Sequence, residues 1–278
     1  MLTRLQRAGF LLPFVVIVLI FIIFPAIIGF ISSFTNYSPL QQHPVHVVGL
    51  ENYARVFSEP EFPVSLRNIT IFTIFTVSLE LMLGVLLAYI LRVPFRGRSF
   101  VRVVLLLPWL VSPIANGVMW HYIFNQPGFP NLLGSSTALI VVMLVEVWRV
   151  APFVTFLVLP GVLGIPQQNW DDARLDGLSS FAKLRFLVLP RLRTLLLSIG
   201  MLLVGQALGA FETILIFTGG GPGSATVTPG LYAYQSAIKT YDWTRGVPAS
   251  WLIALAVLVV GIIYVFVTER ERTLGTKS

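Results

Sequence analysis

The sequence predicts an all-α membrane protein with six transmembrane helices and a polar helical segment between the fourth and fifth. Three observations carry that expectation. Of the 278 residues, 56% are hydrophobic and 11% charged, with a mean hydropathy of +0.84, against roughly 25% charged in an ordinary soluble domain. The apolar residues gather in runs near the ~20 residues that a helix needs to cross a bilayer. The longest polar, charge-bearing interruption, Asn169 to Pro190, falls between two of those runs. A net charge of +7 fits a nucleic-acid or a membrane partner, and its distribution along the chain favours the membrane over nucleic acid. Cys is absent, which excludes disulfides and thiolate metal or redox chemistry.

Arg4 and Arg7 precede the first apolar run, 8–31. It is longer than a signal-peptide core and no small-residue cleavage site follows, so it is expected to be an uncleaved span. Residues 34–67 read as a polar loop. His43 and His46 there lack carboxylate or Cys companions and are read as loop residues, not metal ligands. Asn36-Tyr-Ser and Asn68-Ile-Thr fit the glycosylation pattern, which is common by chance. The second span, 68–91, is followed by Arg92, Arg96 and Arg98. The third, 101–124, holds Pro108 and Pro113, which are expected to kink it. The fourth, 137–163, holds Pro152 and Pro160. The fifth, 194–217, carries Gly205 and Gly209, a GxxxG spacing that lets another helix approach closely. Residues 218–246 open with GGGPG and lead to the sixth span, 247–267, and a short charged tail. The glycines do not make a P-loop, since Ser224 stands where the second Gly belongs and no Lys follows. They read as a flexible turn.

The polar segment, 166–190, has its own punctuation. Pro166 can open a helix, because its missing N–H would be unpaired in the first turn anyway. Asp171 and Asp172 then sit near the positive end of the helix dipole. Trp170, Ala173, Arg174 and Gly177 share one helical face. Gly177 is placed to end the helix in a left-handed conformation. Ser179 or Ser180 can cap a second helix, which is expected to stop or bend at Pro190.

Six spans put both termini on one side. On that side fall Arg4, Arg7, Arg92, Arg96, Arg98, Arg102, Arg174, Lys183, Arg185, Arg191, Arg193, Arg270, Arg272 and Lys277; the other side has Arg55, Arg67, Lys239 and Arg245. The positive-inside rule therefore predicts a multi-pass protein with both termini and the polar segment in the cytoplasm.

The polar segment resembles the cytoplasmic loop signature of ABC importer permeases: EAA, three residues, G, nine residues, I-x-L-P. The pattern falls on Asp171-Asp172-Ala173, Gly177, Leu187, Leu189 and Pro190 with every spacing intact, Asp replacing Glu, Asp172 the first Ala and Leu187 the Ile. In that family the loop is a coupling helix docking on a separate ATPase. The resemblance thus implies an ATPase-coupling role for Trp170, Asp171, Asp172, Ala173, Gly177, Leu187, Leu189 and Pro190. Three further stretches are similar to the carbohydrate branch, the maltose and glycerol-3-phosphate type: Val48–Phe57 (VGLENYARVF), Val147–Phe153 (VWRVAPF) and Thr218–Thr226 (TGGGPGSAT). The resemblance implies one transmembrane subunit of a sugar importer in a bacterial inner membrane. Its implied partners are a second permease subunit in a heterodimer, two ATPase subunits and an extracytoplasmic solute-binding protein. No cofactor is expected in this chain, ATP and Mg being bound by the ATPase subunits.

Polar residues inside spans are costly and usually functional. Glu80, Asn116, His121, Glu146, Arg149, Gln206 and Glu212 occupy such positions. Glu146 and Arg149, three apart, share a helix face and are expected to form an intramembrane ion pair. Asn116, Trp120, Gln206, Phe211 and Glu212 are candidates for a substrate pathway, since aromatic rings pack on sugar C–H faces while amides bind hydroxyls. The competing reading is an ion-coupled secondary transporter using Glu80 or Glu212. No nucleophile, base and orienting group fall in a pattern that points to an enzyme.

Overall fold

The computed structural model describes residues 12–40, 44–127 and 132–275; Arg4, Arg7, the start of the first span, His43 and Lys277 lie outside them. Among the described residues every extended element is a helix, beside one isolated bridge between Thr35 and Val47. α1 is Leu12–Ser32. The stretch expected as a loop contains α2, Glu51–Ser58, and the first turns of α3, Glu61–Leu91. Both are amphipathic at that point: Val56 and Phe62 are fully buried while Glu51 and Arg55 pair at the surface.

The third span is two helices, α4 (Arg98–Leu110) and α5 (Pro113–Phe124), meeting at 91°. Its kink lies where the prolines place it. Pro113 opens α5 in the first turn, where its missing N–H costs nothing, and the Ser112 hydroxyl accepts from the Ala115 N–H (3.2 Å). α6, Ala138–Leu163, runs unbroken through Pro152 and Pro160, and α7 is Gln167–Leu175. α8, Ser180–Leu208, is continuous across Pro190, where a stop or bend was expected. A π turn over Leu184–Val188 explains this: the Leu189 N–H reaches back to the Leu184 carbonyl, and the wider turn makes room for the proline ring. The fifth span, in contrast, ends early. The helix leaves off at Leu208, and a separate α9, Glu212–Phe217, follows. The freed Ala210 carbonyl is taken by the Thr228 hydroxyl (3.1 Å). α10 (Pro229–Tyr234) and α11 (Trp243–Gly275) complete the chain. Among the described residues five helices, α1, α3, α6, α8 and α11, are each long and apolar enough to span a membrane, or six when the bent α4–α5 pair is counted as one span.

α3 against α6 is the central packing, with Phe72, Val142, Val154, Val158 and Val162 buried along it. A Cβ on Gly84 would overlap the Val154 side chain, so glycine sets how closely the two helices approach. A second cluster, Val56, Phe62, Val227, Tyr232, Ala233 and Ala249, closes one end of the bundle. The GGGPG region belongs to it and is not the flexible turn expected. Thr226 and Thr228 are fully buried, and Asn68 donates to the carbonyls of Ser224 (3.0 Å) and Val227 (2.9 Å). That clamp leaves Asn68 2% exposed, which rules out its use as a glycan acceptor. Asn52 does the same for the first connection, donating to Ser33 and Thr35 carbonyls (2.9 and 2.7 Å).

We expect Gly84→Leu to force α3 and α6 apart, at a cost of about 1–3 kcal/mol for overpacking. Thermal unfolding of the detergent-solubilised chain should shift down, while Ile74→Leu, at a position 65% exposed, should not shift it. An unchanged midpoint for Gly84→Leu would show that this crossing does not limit stability.

Candidate functional site

The two breaks, after Leu110 and after Leu208, lie side by side because α5 and α9 pack on each other. Thr213 Oγ1 donates to the Pro113 carbonyl (3.2 Å), and His121 Nδ1 to the Phe217 carbonyl (2.9 Å). Gly117 permits the contact: a Cβ there would stand 2.8 Å from Ile216 Cβ and 3.0 Å from the Thr213 carbonyl. Beside the breaks opens a cleft of about 350 Å³. Phe72 of α3, Glu146 and Arg149 of α6, Gly205 and Gln206 of α8, and the connection Gly209 to Ile214 line it.

Gly205 and Gly209 are part of this wall. A Cβ on Gly205 would meet nothing within 4 Å, and one on Gly209 only carbonyls of its own helix. Among the described residues no other helix comes within 4 Å of where either Cβ would stand, and both glycines line the cleft. Glu146 and Arg149 form the expected pair, two parallel contacts that include Nε to Oε2 at 3.3 Å, with both side chains 13% exposed. Two aligned contacts hold the guanidinium in a fixed plane. Glu80, buried on α3, lies within electrostatic reach of both. The ion pair and the pathway candidates Gln206, Phe211 and Glu212 thus line one cleft. Phe211 is stacked on Tyr234 (centroids 5.5 Å, 29° between planes), a fixed aromatic face.

Asn116 and Trp120 do not join them. Asn116 is fully buried, with no hydrogen-bond partner for its amide among the described residues. Trp120 packs edge-on to Trp148 (5.4 Å) and against Phe124 (5.8 Å). The 91° bend decides this, because it turns the α5 face bearing Asn116 and Gly117 onto α9. Phe72 and Thr213 line or frame the cleft without having been singled out. Phe72 is one apolar residue among many, whereas the chain break that positions Thr213 had a signal in Gly209.

At the far end of α6 the polar segment folds as its residues direct. Gly177, at φ +69°, ends α7. Its N–H donates to the Arg174 carbonyl (3.0 Å) and that of Leu178 to the Ala173 carbonyl (3.1 Å), the two closing bonds of a Schellman motif. Ser179 caps the next helix through the Ala182 N–H (3.2 Å). Trp170 and Ala173 turn inward, 3% and 5% exposed. The Arg92 guanidinium lies 3.5 Å over the Trp170 ring, and Tyr89 tilts against that ring at 6.1 Å. Asp171 and Asp172 are exposed, as is Leu175 at 86%. Leu187 is half-buried, and Leu189 and Pro190 are exposed on α8. The eight expected coupling residues are thus divided: Trp170 and Ala173 seat α7 on the bundle, and Asp171 and Asp172 face away from it. Leu175, which sequence reasoning passed over, stands out as an apolar residue on that polar outer face.

Residues 80–270 match the family of binding-protein-dependent transport system inner membrane components. The chain is similar to the trehalose/maltose transport system permease protein MalF of Thermococcus litoralis, 34% identical over 97% of this chain and 96% of that one. It is also similar to the sulfoquinovosyl glycerol transport system permease protein SmoG of Agrobacterium fabrum, 26% identical over 87% and 83%. In fold it resembles a chain of a bacterial ABC transporter involved in the import of the acidic polysaccharide alginate, with a TM-score of 0.79 over 95% of both chains at 17% identity. A second alginate transporter structure, in complex with an alginate pentasaccharide-bound periplasmic protein, gives 0.77 at 18% identity, over 95% of this chain and 94% of that one.

Glu146 and Arg149 neutralise each other in a low-dielectric wall, so removing one strands the other at a cost of about 3–5 kcal/mol. Glu146→Ala and Arg149→Ala should each lower membrane-inserted yield more than the double substitution does, as read by fluorescence-detected gel filtration. Equal yields in all three variants would mean that the pair does not stabilise the fold.

Proposed function

Since the chain belongs to the family of binding-protein-dependent transport system inner membrane components, and so is a permease subunit and not itself an enzyme, we propose that it carries a sugar or sugar derivative inward through the 350 Å³ cleft. The single observation behind this is the placement of the cleft. Glu146 and Arg149 stand on α6, which is joined through only three residues, 164–166, to α7, so the cleft wall and the coupling segment lie on consecutive helices. The chemistry of the wall agrees with a saccharide. An aromatic face, an amide and carboxylates bind C–H surfaces and hydroxyls. The irregular backbone at Gly209 to Phe211 lines this cleft, and non-helical backbone at membrane depth is tolerated where it lines a cavity or is buried in protein. The trehalose/maltose and sulfoquinovosyl glycerol permeases among its relatives favour the same class.

In this reading an extracytoplasmic binding protein delivers the sugar. Two ATPase subunits, which hold ATP and Mg, press on the outward face of α7 formed by Asp171, Asp172 and Leu175. A second permease chain completes the pathway as a heterodimer. Both termini and α7 lie in the cytoplasm, where ATP is. ATPase closure displaces α7, and Trp170 and Ala173, seated against the bundle, pass the motion to α3 and α6. The half-helices α5 and α9 then open the cleft to one side and close it to the other. Glu212 serves in the wall and Glu80 behind the ion pair, neither of them in ion coupling, because family membership places the energy source in ATP.

Gly177→Val tests the coupling role. A β-branched residue in the left-handed region costs on the order of 1–2 kcal/mol, outside the bilayer, so membrane levels should stay near normal. Co-purification of the ATPase and radiolabelled sugar uptake should both fall sharply, while Asp171→Glu keeps both. Full coupling in Gly177→Val would remove α7 from the docking role. The purified chain alone should neither hydrolyse ATP nor transport; sugar uptake into liposomes by this chain alone would restore the secondary-transporter reading.

A further inference from the structure

Next to the Trp170 contact, on the membrane side of α7, lies a second cavity of about 410 Å³ between the end of α3, α7 and the start of α8. Arg92, Arg174 and Lys183 line it, and no carboxylate does. Arg174 reaches Asp171 on its outer side (3.1 Å). Among the described residues, Arg92 and Lys183 pair with no carboxylate. The Arg92 Nε is buried and has no hydrogen-bond acceptor. Burial foremost, and also the Arg174 charge, pull its guanidinium below the ordinary arginine value. Concentrating cations in a half-buried pocket is unfavourable unless an anion joins them. Arg98 and Arg102, one turn apart at the start of α4, repeat the pattern: each keeps a buried Nε and Nη2 without an acceptor.

The rim of the cavity is apolar. Ile90 (60% exposed) and Val93 (51% exposed) border it, and Met82 and Leu86 extend the same exposed stripe of α3 along the span. An occupant must therefore be anionic at one end and apolar along the other. We propose that this cavity binds the headgroup phosphate of an anionic phospholipid, held by Arg92, Lys183 and Arg174, with an acyl chain lying along the Met82–Val93 stripe. Basic pockets between helices at a membrane boundary recognise anionic headgroups by this combination of charge and depth. The lipid would brace the same Arg92–Trp170 contact that seats α7. The proposal rests on the membrane-spanning reading of the bundle, and not on ATPase docking, so it survives if the Gly177→Val test fails.

The test is native mass spectrometry of the full-length chain in detergent, delipidated and then offered equal amounts of phosphatidylglycerol and phosphatidylcholine with matched acyl chains. The chain should retain phosphatidylglycerol preferentially. Neutralising each cation should weaken that retention about fivefold, so Arg92→Gln/Lys183→Gln should lose most of it with phosphatidylcholine unchanged. Because Arg92 also stacks on Trp170, Lys183→Gln alone is the control for folding and should show the single fivefold step; Lys183→Arg should show none. Equal retention of the two lipids, or phosphatidylglycerol retention untouched by either Gln variant, would overturn the proposal. So would displacement of the lipid by soluble glycerol phosphate, which would make this a free-phosphate site, or by the added ATPase subunits, which would make it a protein contact.

Discussion

Hydrocarbon offers no hydrogen bonds, so every backbone group in the spans must be satisfied inside the protein, and the rest of this structure follows from that constraint. It forces helices throughout, and it confines any break in a helix to places the protein itself can cover. The chain breaks two spans, near Val111 and near Gly209, and sets both breaks together. Each is repaired locally. Ser112 caps α5, and Thr228 from the following segment takes the Ala210 carbonyl. What remains is a polar-lined cleft in a molecule whose other surfaces are mostly apolar.

The same constraint accounts for the small and polar residues at the crossings. Gly84 and Gly117 set helix spacings that any side chain would widen. Thr76 and Thr155 return their hydroxyls to the carbonyls of their own helices (2.8 and 2.9 Å), which satisfies them without a partner elsewhere. The charged residues are handled by pairing: Glu146 and Arg149 neutralise each other one turn apart, which removes their net charge from the cleft wall. A wall with this balance suits a hydroxyl-rich solute, because it orients donors and acceptors without presenting a strong cationic field.

The closed end of the bundle shows how sequence signatures translate into packing. Asn52 and Asn68 each donate to two carbonyls of other segments. The Tyr53 hydroxyl meets Ser33 Oγ at 2.8 Å. Gly220, at φ +96°, brings the backbone against Val227 where a Cβ would come within 2.8 Å. The glycine run and the GLENY stretch are parts of one buried cap, and their chemistry is structural.

The sequence by itself determined the helical membrane class, the six apolar runs, the Glu146–Arg149 pair and the helix–turn–helix of the polar segment with its Gly177 stop. All of these depend on composition or on residues within one turn of each other, where spacing alone decides geometry. Tertiary structure decided what spacing cannot. A span that is apolar on every side carries no mark of which face is inward, so Asn116 and Trp120 looked equivalent to Gln206 and Phe211 until the bend at Val111 turned them away. Pro190 looked like a helix end until a π turn absorbed it, and the fifth span looked continuous until the Thr228 hydroxyl, from beyond α9, took the Ala210 carbonyl. Rotation about a helix axis and the site of a break are set by partners distant in sequence, and only packing brings those partners together.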